Sequence, residues 1–309
     1  MDILITGGSG FIGSHVCEYF YEKNTRLYVI DNLSTGSFEN IKKFKKINFL
    51  QGDITDKEFM EDIFKKYQFD YVIHLAALVS VAESVLKPDE SLKINLEATL
   101  NLLMLLKKYN KQLKKFVFAS SAAVYGNLEK LPKNTNDPVL PQSPYAVDKY
   151  AAERQCINFS ELFGLPTTAL RFFNVYGERQ NANSPYSGVI SIMENCFRNN
   201  KPFTFYGDGM QTRDFVYVKD VVQAINTVLF SEKANGKVFN VGTGKQISLQ
   251  EIYDIFKELS HNEIQYEYAP ERVGDIKYSY ADIEDITKLG YKPHYDVIEG
   301  LRIYYENNN

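Results

Sequence analysis

The chain has 309 residues, 44% apolar and 24% charged, enough for one large α/β unit or two coupled domains around substantial cores. A net charge of only −4 offers no electrostatic footprint for nucleic acid or an anionic membrane surface. Cys17, Cys156 and Cys196 are scattered and form no CxxC, which argues against a disulfide framework or a zinc site and for a reducing compartment.

The opening "MDILITGG" carries no basic segment, so no signal peptide is expected. The longest apolar run, Leu100 to Leu106, is too short to span a bilayer, and a cytoplasmic protein is expected. In chain order, "DILIT" (2–6), "RLYVID" (26–31), "INFLQGD" (47–53), "DYVIHLA" (70–76), "KFVFASS" (115–121) and "TTALRF" (167–172) read as buried strands. Helix patterns fall between them at 11–23, 57–67, 91–109 and 144–163. Such alternation predicts an α/β fold, a doubly wound, Rossmann-like parallel sheet with helices on both faces. "KVFNVGTG" (237–244) adds a late strand after a helix starting near Lys219.

The expected division places a dinucleotide-binding domain at 1–173, with return segments at about 213–247. A smaller C-terminal substrate lobe takes 174–212 and 248–309, over the carboxyl ends of the strands. The 91–109 helix is apolar around most of its circumference. One side would cover the sheet, and the other needs a second copy of the chain or another part of the same chain. A homodimer is the expectation. His74 sits on a buried strand as a structural residue, and His15, His261 and His294 show no metal-ligand spacing, so no metal is expected.

"TGGSGFIG" follows the first strand and opens the first helix. Gly7, Gly10 and Gly13 allow a tight turn, close approach of a pyrophosphate and close helix–strand packing, and the helix start offers N–H groups to phosphate. The spacing is GxxGxxG rather than GxGxxG. Its context strengthens it, because Asp31 ends the second strand about 20 residues on, where an acid would accept the ribose hydroxyls. That carboxylate would repel a 2′-phosphate, so NAD is expected over NADP.

"SPYAVDKYAAE" places Ser143 and Pro144 as helix cap and first helical residue, with Tyr145 and Lys149 one turn apart. A phenol titrates near ~10, and bringing it to ~7 takes roughly 4 kcal/mol of differential stabilisation. The Lys149 ammonium, the helix dipole and a cationic nicotinamide ring would combine to supply it, making Tyr145 a base. Ser120 and Ser121 end the strand before it, where a hydroxyl either caps the strand end or relays the substrate proton.

With these motifs stand "DNLSTG", "GDI", "HLAA", "SSAAVYG", "LRFFNVYG", "GDGMQTRDFVYVKD" and "ERVGDI". Nearly end to end, the chain resembles the extended short-chain dehydrogenases/reductases of the nucleotide-sugar epimerase/dehydratase group, and within it the UDP-hexose 4-epimerases. The resemblance implies that Gly7, Gly10, Phe11, Ile12 and Gly13 cradle the NAD pyrophosphate. It assigns Asp31, Asn32, Ser34, Thr35 and Gly36 to the adenosine ribose, and Asp53 and Ile54 to the adenine. Leu75, Ala76, Ala77, Asn95 and Phe172 line the path to the nicotinamide. Ser121 and Tyr145 become the catalytic pair, with Lys149 on the nicotinamide ribose. For the UDP-sugar it implies Asn174, Arg213 and Arg272 at the diphosphate, Val189, Phe205 and Tyr206 near the uracil, and Asp275 at the uridine ribose.

The implied reaction oxidises the sugar at C4, lets the 4-keto sugar turn over and reduces it from the other face. Dehydratases of the group resemble one another in an Asp-Glu after the catalytic hydroxyl, and decarboxylating members in a nearby Glu. Ala122 and Ala123 stand there, which favours epimerisation. Val79 replaces the lysine of longer glucose-type members. Ser279 falls where bulk restricts the sugar pocket, and its small size points to UDP-N-acetylglucosamine as well as UDP-glucose. UDP-glucuronate 4-epimerisation, another NAD-dependent dehydratase or reductase activity, and a non-catalytic NAD-binding regulator remain open alternatives.

Overall fold

The computed structural model describes residues 1–181, 188–271 and 276–307. Strand β1 (Asp2–Thr6) leads to helix α1 (Phe11–Glu22), β2 (Arg26–Asp31), β3 (Asn48–Gln51), α2 (Lys57–Lys66) and β4 (Tyr71–His74). Next come α3 (Val81–Leu86), α4 (Pro88–Leu92), α5 (Ala98–Tyr109), β5 (Lys115–Ser121), α6 (Pro144–Phe163), β6 (Thr167–Phe172) and β7 (Asn174–Tyr176). The remainder holds α7 (Val189–Arg198), β8 (Phe203–Tyr206), β9 (Thr212–Arg213), β10 (Phe215–Tyr217), α8 (Val218–Leu229) and β11 (Lys237–Val241). It closes with β12 (Ile247–Ser248), α9 (Leu249–Ser260), β13 (Tyr266–Ala269), α10 (Glu284–Thr287) and α11 (Val297–Asn307).

Seven strands form one parallel sheet in the order β11-β6-β5-β4-β1-β2-β3. The order reverses beside β1, which opens a crevice at the carboxyl edge next to the glycine turn. Successive side chains enter different layers, so strands buried on both faces read as unbroken apolar runs. Ile3 and Ile5 join α1 and α8 on one face, while Leu4 joins α2, α5 and α6 on the other. A third core gathers α7, α9 and α11 around Phe205, Tyr253 and Tyr304, and Phe11 and Ile12 of α1 pack against it. The glycine turn therefore lies where this third core meets the main sheet.

Helix starts follow local chemistry. Asp56 caps α2 by accepting the Glu58 and Phe59 N–H groups, each at 3.1 Å, and Ser248 with Glu251 forms a reciprocal capping box on α9. Ser143 accepts the Ala146 N–H at 3.2 Å, Pro144 opens α6, and Gly164 ends it at φ +67°.

Some boundaries differ from expectation. The strands read at 47–53, 70–76 and 237–244 are shorter, at Asn48–Gln51, Tyr71–His74 and Lys237–Val241. The first two bend into the crevice on single backbone bonds, Gly52 N–H to the Asp31 carbonyl and Leu75 N–H to the Thr6 carbonyl. The third breaks where Asp214 captures the Thr243 and Gly244 N–H groups. The helix read at 91–109 starts at Pro88 and contains one wide π-helical turn, Lys93–Glu97. No helix among the described residues is long and apolar enough to cross a membrane.

Candidate active site

The glycine turn is shaped by what it excludes. Gly7 adopts φ +71°, and a Cβ there would meet the Ala76 nitrogen at 2.7 Å. A Cβ on Gly13 would fall 2.1 Å from the Gly7 carbonyl oxygen, so α1 can pack this tightly only without a side chain. Gly10 caps α1 with no side-chain bond, which leaves the first N–H groups of the helix, at Phe11 and Ile12, directed at the turn. Gly36 presses on the same turn from the other side, its missing Cβ 2.9 Å from the Ser9 carbonyl carbon. Ser37 N–H and Asn40 Nδ2 hold that loop by donating to the Ser9 carbonyl at 3.0 and 2.9 Å.

Asp31 ends β2 beside this cradle. Its Oδ2 accepts the Ser9 N–H at 2.9 Å and its Oδ1 the Leu33 N–H at 2.8 Å, fixing the carboxylate with lone pairs to spare for hydroxyl donors. Asn32 donates to Asp53 Oδ2 at 2.8 Å and accepts the Ser34 N–H at 3.0 Å, and Ile54 is buried beside them. Arg26 is paired with Asp2 at 2.5 Å at the far end of the strand and does not approach. A dinucleotide fits these residues: a glycine-lined turn, an uncapped helix start and a preset carboxylate for a ribose.

Ser121 ends β5 in register with Phe172 of β6, which pairs in turn with Val241. The serine oxygen accepts the Ala123 N–H at 3.2 Å, and it is near enough to the Tyr145 phenol to act on its ionisation. It therefore both caps the strand end and reaches the phenol. Tyr145 is placed at the start of α6, where its N–H donates to Ser84 Oγ of α3 at 3.1 Å. Lys149 is buried, donates to the Ala119 carbonyl at 2.9 Å, and lies 6.0 Å from the Tyr145 ring centroid.

The electrostatics of the chain without its cofactor bear on the expected base. In the chain by itself, burial pushes the Tyr145 phenol above its ordinary value, and the Ser121 hydroxyl opposes this only in part. Burial likewise lowers Lys149, to about 8. The phenol therefore stays protonated in the chain alone, and the cationic ring of a bound oxidised nicotinamide is the influence that would favour its ionised form.

Asn95, expected along the cofactor path, lies within the π-helical turn, where its Oδ1 accepts the Leu78 N–H and its Nδ2 donates to the Leu78 carbonyl, both at 3.0 Å. It positions the loop after Leu75, Ala76 and Ala77. His74 is buried in a structural role, with Nδ1 2.6 Å from Thr6 Oγ1 and Nε2 3.0 Å from Thr99 Oγ1. Burial holds it neutral, at about 3.

Of the residues expected at the sugar nucleotide, Asn174 falls on β7, Val189 on α7, Phe205 and Tyr206 on β8 and Arg213 on β9. Asn174 donates to the Asp214 carbonyl at 3.2 Å, and Val189 opens α7 after Gly188. Arg213 donates to the Thr212 and Lys277 carbonyls at 2.9 and 3.4 Å. Ser279 is buried against that strand, its N–H donating to the Thr212 carbonyl at 3.2 Å. Tyr206 is exposed, while the Phe205 ring is fully buried among Phe203, Tyr253, Tyr266 and Tyr268 and belongs to the core. Arg272 and Asp275 lie outside the described residues.

Several buried carboxylates, Asp148, Glu153 and Asp214 among them, were not singled out from the sequence. Asp148 accepts the Ser91 hydroxyl at 2.6 Å, Glu153 accepts Ser120 and Arg171, and Asp214 binds Thr243, Gly244 and Ala281. The only sequence signal for them is a charged residue at a position the helix or strand pattern assigns to the interior. No cluster of three or more metal-ligating side chains is gathered among the described residues.

The family profile described as GDP-mannose 4,6 dehydratase matches residues 4–304. A Methanocaldococcus jannaschii protein, provisionally named UDP-glucose 4-epimerase, is 41% identical over 99% of both chains. The UDP-N-acetylglucosamine 4-epimerase from Methanobrevibacter ruminantium, solved in complex with UDP-N-acetylmuramic acid, superposes with a TM-score of 0.93 at 38% identity, over 99% of this chain and 97% of that one. The UDP-glucose 4-epimerase from Thermus thermophilus, in complex with NAD, gives 0.91 at 35% identity, over 100% and 99%. The chain belongs to the extended short-chain dehydrogenases/reductases, in the group of NAD-dependent nucleotide-sugar epimerases and dehydratases.

Proposed function

We propose that the chain is a UDP-hexose 4-epimerase that interconverts UDP-glucose with UDP-galactose and UDP-N-acetylglucosamine with UDP-N-acetylgalactosamine. The observation that carries this reading is that Ser121, at the carboxyl edge of β5, stands beside the buried Tyr145 of α6 and is followed by the methyl groups of Ala122 and Ala123. The pair can take a proton from a sugar hydroxyl and return it. With no carboxylate on the turn after Ser121, nothing there removes the acidified C5 proton of a 4-keto sugar, and the ketone survives to be reduced.

Bound NAD supplies the oxidant for the sugar C4–H bond and afterwards the reductant of the ketone. Gly7, Gly10, Phe11, Ile12 and Gly13 hold its pyrophosphate, and Asp31 with Asn32, Ser34, Thr35 and Gly36 its adenosine ribose. Asp53 and Ile54 meet the adenine, and Lys149 the nicotinamide ribose. Tyr145 accepts the 4-hydroxyl proton while Ser121 orients that hydroxyl, and the same phenol gives the proton back after the ketone has turned. Asn174 and Arg213, with Arg272 and Asp275, grip the nucleotide and leave the sugar free to rotate. Paired guanidiniums suit a diphosphate because each offers parallel donors.

Ser279 supports the acetamido substrates, since a small buried side chain beside β9 leaves room for a 2-acetamido group. Under this reading residues 1–173 and 213–247 hold the dinucleotide, and 174–212 with 248–309 the sugar nucleotide. We further assign a homodimer to the α5–α6 face. Met104, Leu162 and Phe163 are exposed there along a groove of about 1020 Å³, on the side of α5 that the sheet does not cover. Replacing Met104 and Leu162 with lysine should give monomers by sedimentation. The activity itself is tested by incubating the protein with each UDP-sugar, without added reductant, and following both 4-epimers by proton NMR.

A further inference from the structure

Behind the reacting edge lies a buried set of charges that the proposed chemistry does not use. Glu153 is fully buried on α6, one turn beyond Lys149 and two beyond Tyr145. Its Oε2 accepts the Ser120 hydroxyl at 2.7 Å and Arg171 Nε at 2.9 Å, and its Oε1 accepts Arg171 Nη2 at 2.6 Å. The guanidinium thus engages both carboxylate oxygens in a fork. Ser120 immediately precedes Ser121 at the end of β5, and Arg171 immediately precedes Phe172 at the end of β6.

The network continues past the pair. Arg171 Nη1 donates to the Thr135 carbonyl at 3.4 Å, and its guanidinium carbon lies 4.8 Å from the centroid of the Tyr125 ring. Tyr125 closes the turn that holds Ala122 and Ala123, and its hydroxyl donates to Asn240 Oδ1 of β11 at 2.7 Å. One carboxylate therefore ties the helix bearing Tyr145 and Lys149 to both strand ends bearing Ser121 and Phe172.

A buried ion pair is a poor route to stability, because desolvation offsets most of the attraction and a packed apolar pair does as well. What it supplies is direction: three bonds at fixed angles allow α6 only one register along β5. Proton transfer from a sugar hydroxyl oriented by Ser121 to Tyr145 needs such a register, since small misplacements of reacting groups lower rates steeply. We propose that Glu153 is a positioning residue, whose bonds to Ser120 and Arg171 hold the Tyr145–Lys149 face of α6 in line with Ser121. This rests on the assignment of Ser121, Tyr145 and Lys149 as the reacting groups.

The test uses NAD-loaded protein carrying E153Q, which keeps the volume but replaces one acceptor oxygen with a donor facing other donors. S120A, which removes one of the three bonds at little risk to folding, is measured alongside. Expected for E153Q are a kcat lowered about tenfold or more, a KM for the UDP-sugar within about twofold, unchanged NAD content, and a displaced ultraviolet titration of the Tyr145 phenol. S120A should move kcat and the titration the same way by less. Unchanged kcat and titration in both variants would overturn the proposal. So would a fall in kcat, NAD content and melting temperature together with a rise in KM, which is the signature of a merely structural role. The titration needs no substrate: if the parent protein converts no UDP-sugar yet E153Q shifts the phenol, the positioning role stands and the epimerase reading falls.

Discussion

Lys149 donates its ammonium to the carbonyl of Ala119 at 2.9 Å, not to Tyr145, although both side chains share one face of α6. The lysine is thus a buried cation held by a neutral backbone acceptor one residue from the paired serines of β5. Burial moves it from 10.5 to about 8. Between those values the unfolded chain holds the extra proton, so stability rises with pH across that window, and below about pH 8 the full cost is present. That cost is about 3 kcal/mol. The variant K149M should therefore melt no lower than the parent at pH 7, with its advantage shrinking toward pH 10, while kcat collapses. Calorimetry at the two pH values, beside turnover, checks this.

Tyr145 carries the second expectation. Burial raises the phenol in the chain alone, so the ionised form needed as a base gains weight only when a positive ring is bound nearby. Ultraviolet titration, corrected with Y145F, should show a lower apparent pKa in NAD-loaded than in NAD-free protein. Activity should rise with pH through the loaded value. The Y145F variant should retain NAD and lose about 10²- to 10⁴-fold in kcat.

The glycines of the cradle separate packing from binding. In G13A the new Cβ meets the Gly7 carbonyl oxygen at 2.1 Å, whereas in G10A it meets that oxygen at 3.2 Å. G13A should be destabilised by about 1–3 kcal/mol and lose NAD with its fold. G10A should stay closer to the parent in stability and show its main loss in NAD affinity. Thermal midpoints and NAD titrations of the two variants make the comparison.

Much of this was legible in the chain before any coordinates. The seven sheet strands announce themselves as short β-branched or aromatic runs, and the glycine turn, Asp31 and the Tyr145–Lys149 spacing are local patterns. What stayed hidden depends on distant partners. Asn95 sits inside a π-helical turn with its amide claimed by Leu78, seventeen residues earlier in the chain. Phe205 is enclosed by Tyr253, Tyr266 and Tyr268, so a pattern read only around residue 205 cannot separate a core ring from a ligand contact. Glu153 looks like any helical glutamate until Ser120 and Arg171 fold onto it.

Arg213 supplies a test of the sugar-nucleotide side. A guanidinium bonded to phosphate is worth about 1.5–3 kcal/mol, and that interaction is made equally in ground and transition states. R213A should raise KM for the UDP-sugar about 10- to 100-fold with little change in kcat. R213K should recover only part of the loss, since a point charge lacks the fork. Steady-state kinetics on UDP-glucose and on UDP-N-acetylglucosamine read both effects.

The central claim is that a phenol and a serine hydroxyl, beside a bound dinucleotide and without a neighbouring carboxylate, invert a sugar alcohol with no net redox change. Proton NMR of NAD-loaded protein with UDP-glucose or UDP-N-acetylglucosamine tests it directly. The signals of the corresponding 4-epimer should grow to a fixed ratio, reached from either side, with no reductant consumed. Failure to convert any UDP-sugar, or accumulation of a dehydrated 4-keto product in place of the epimer, would contradict it.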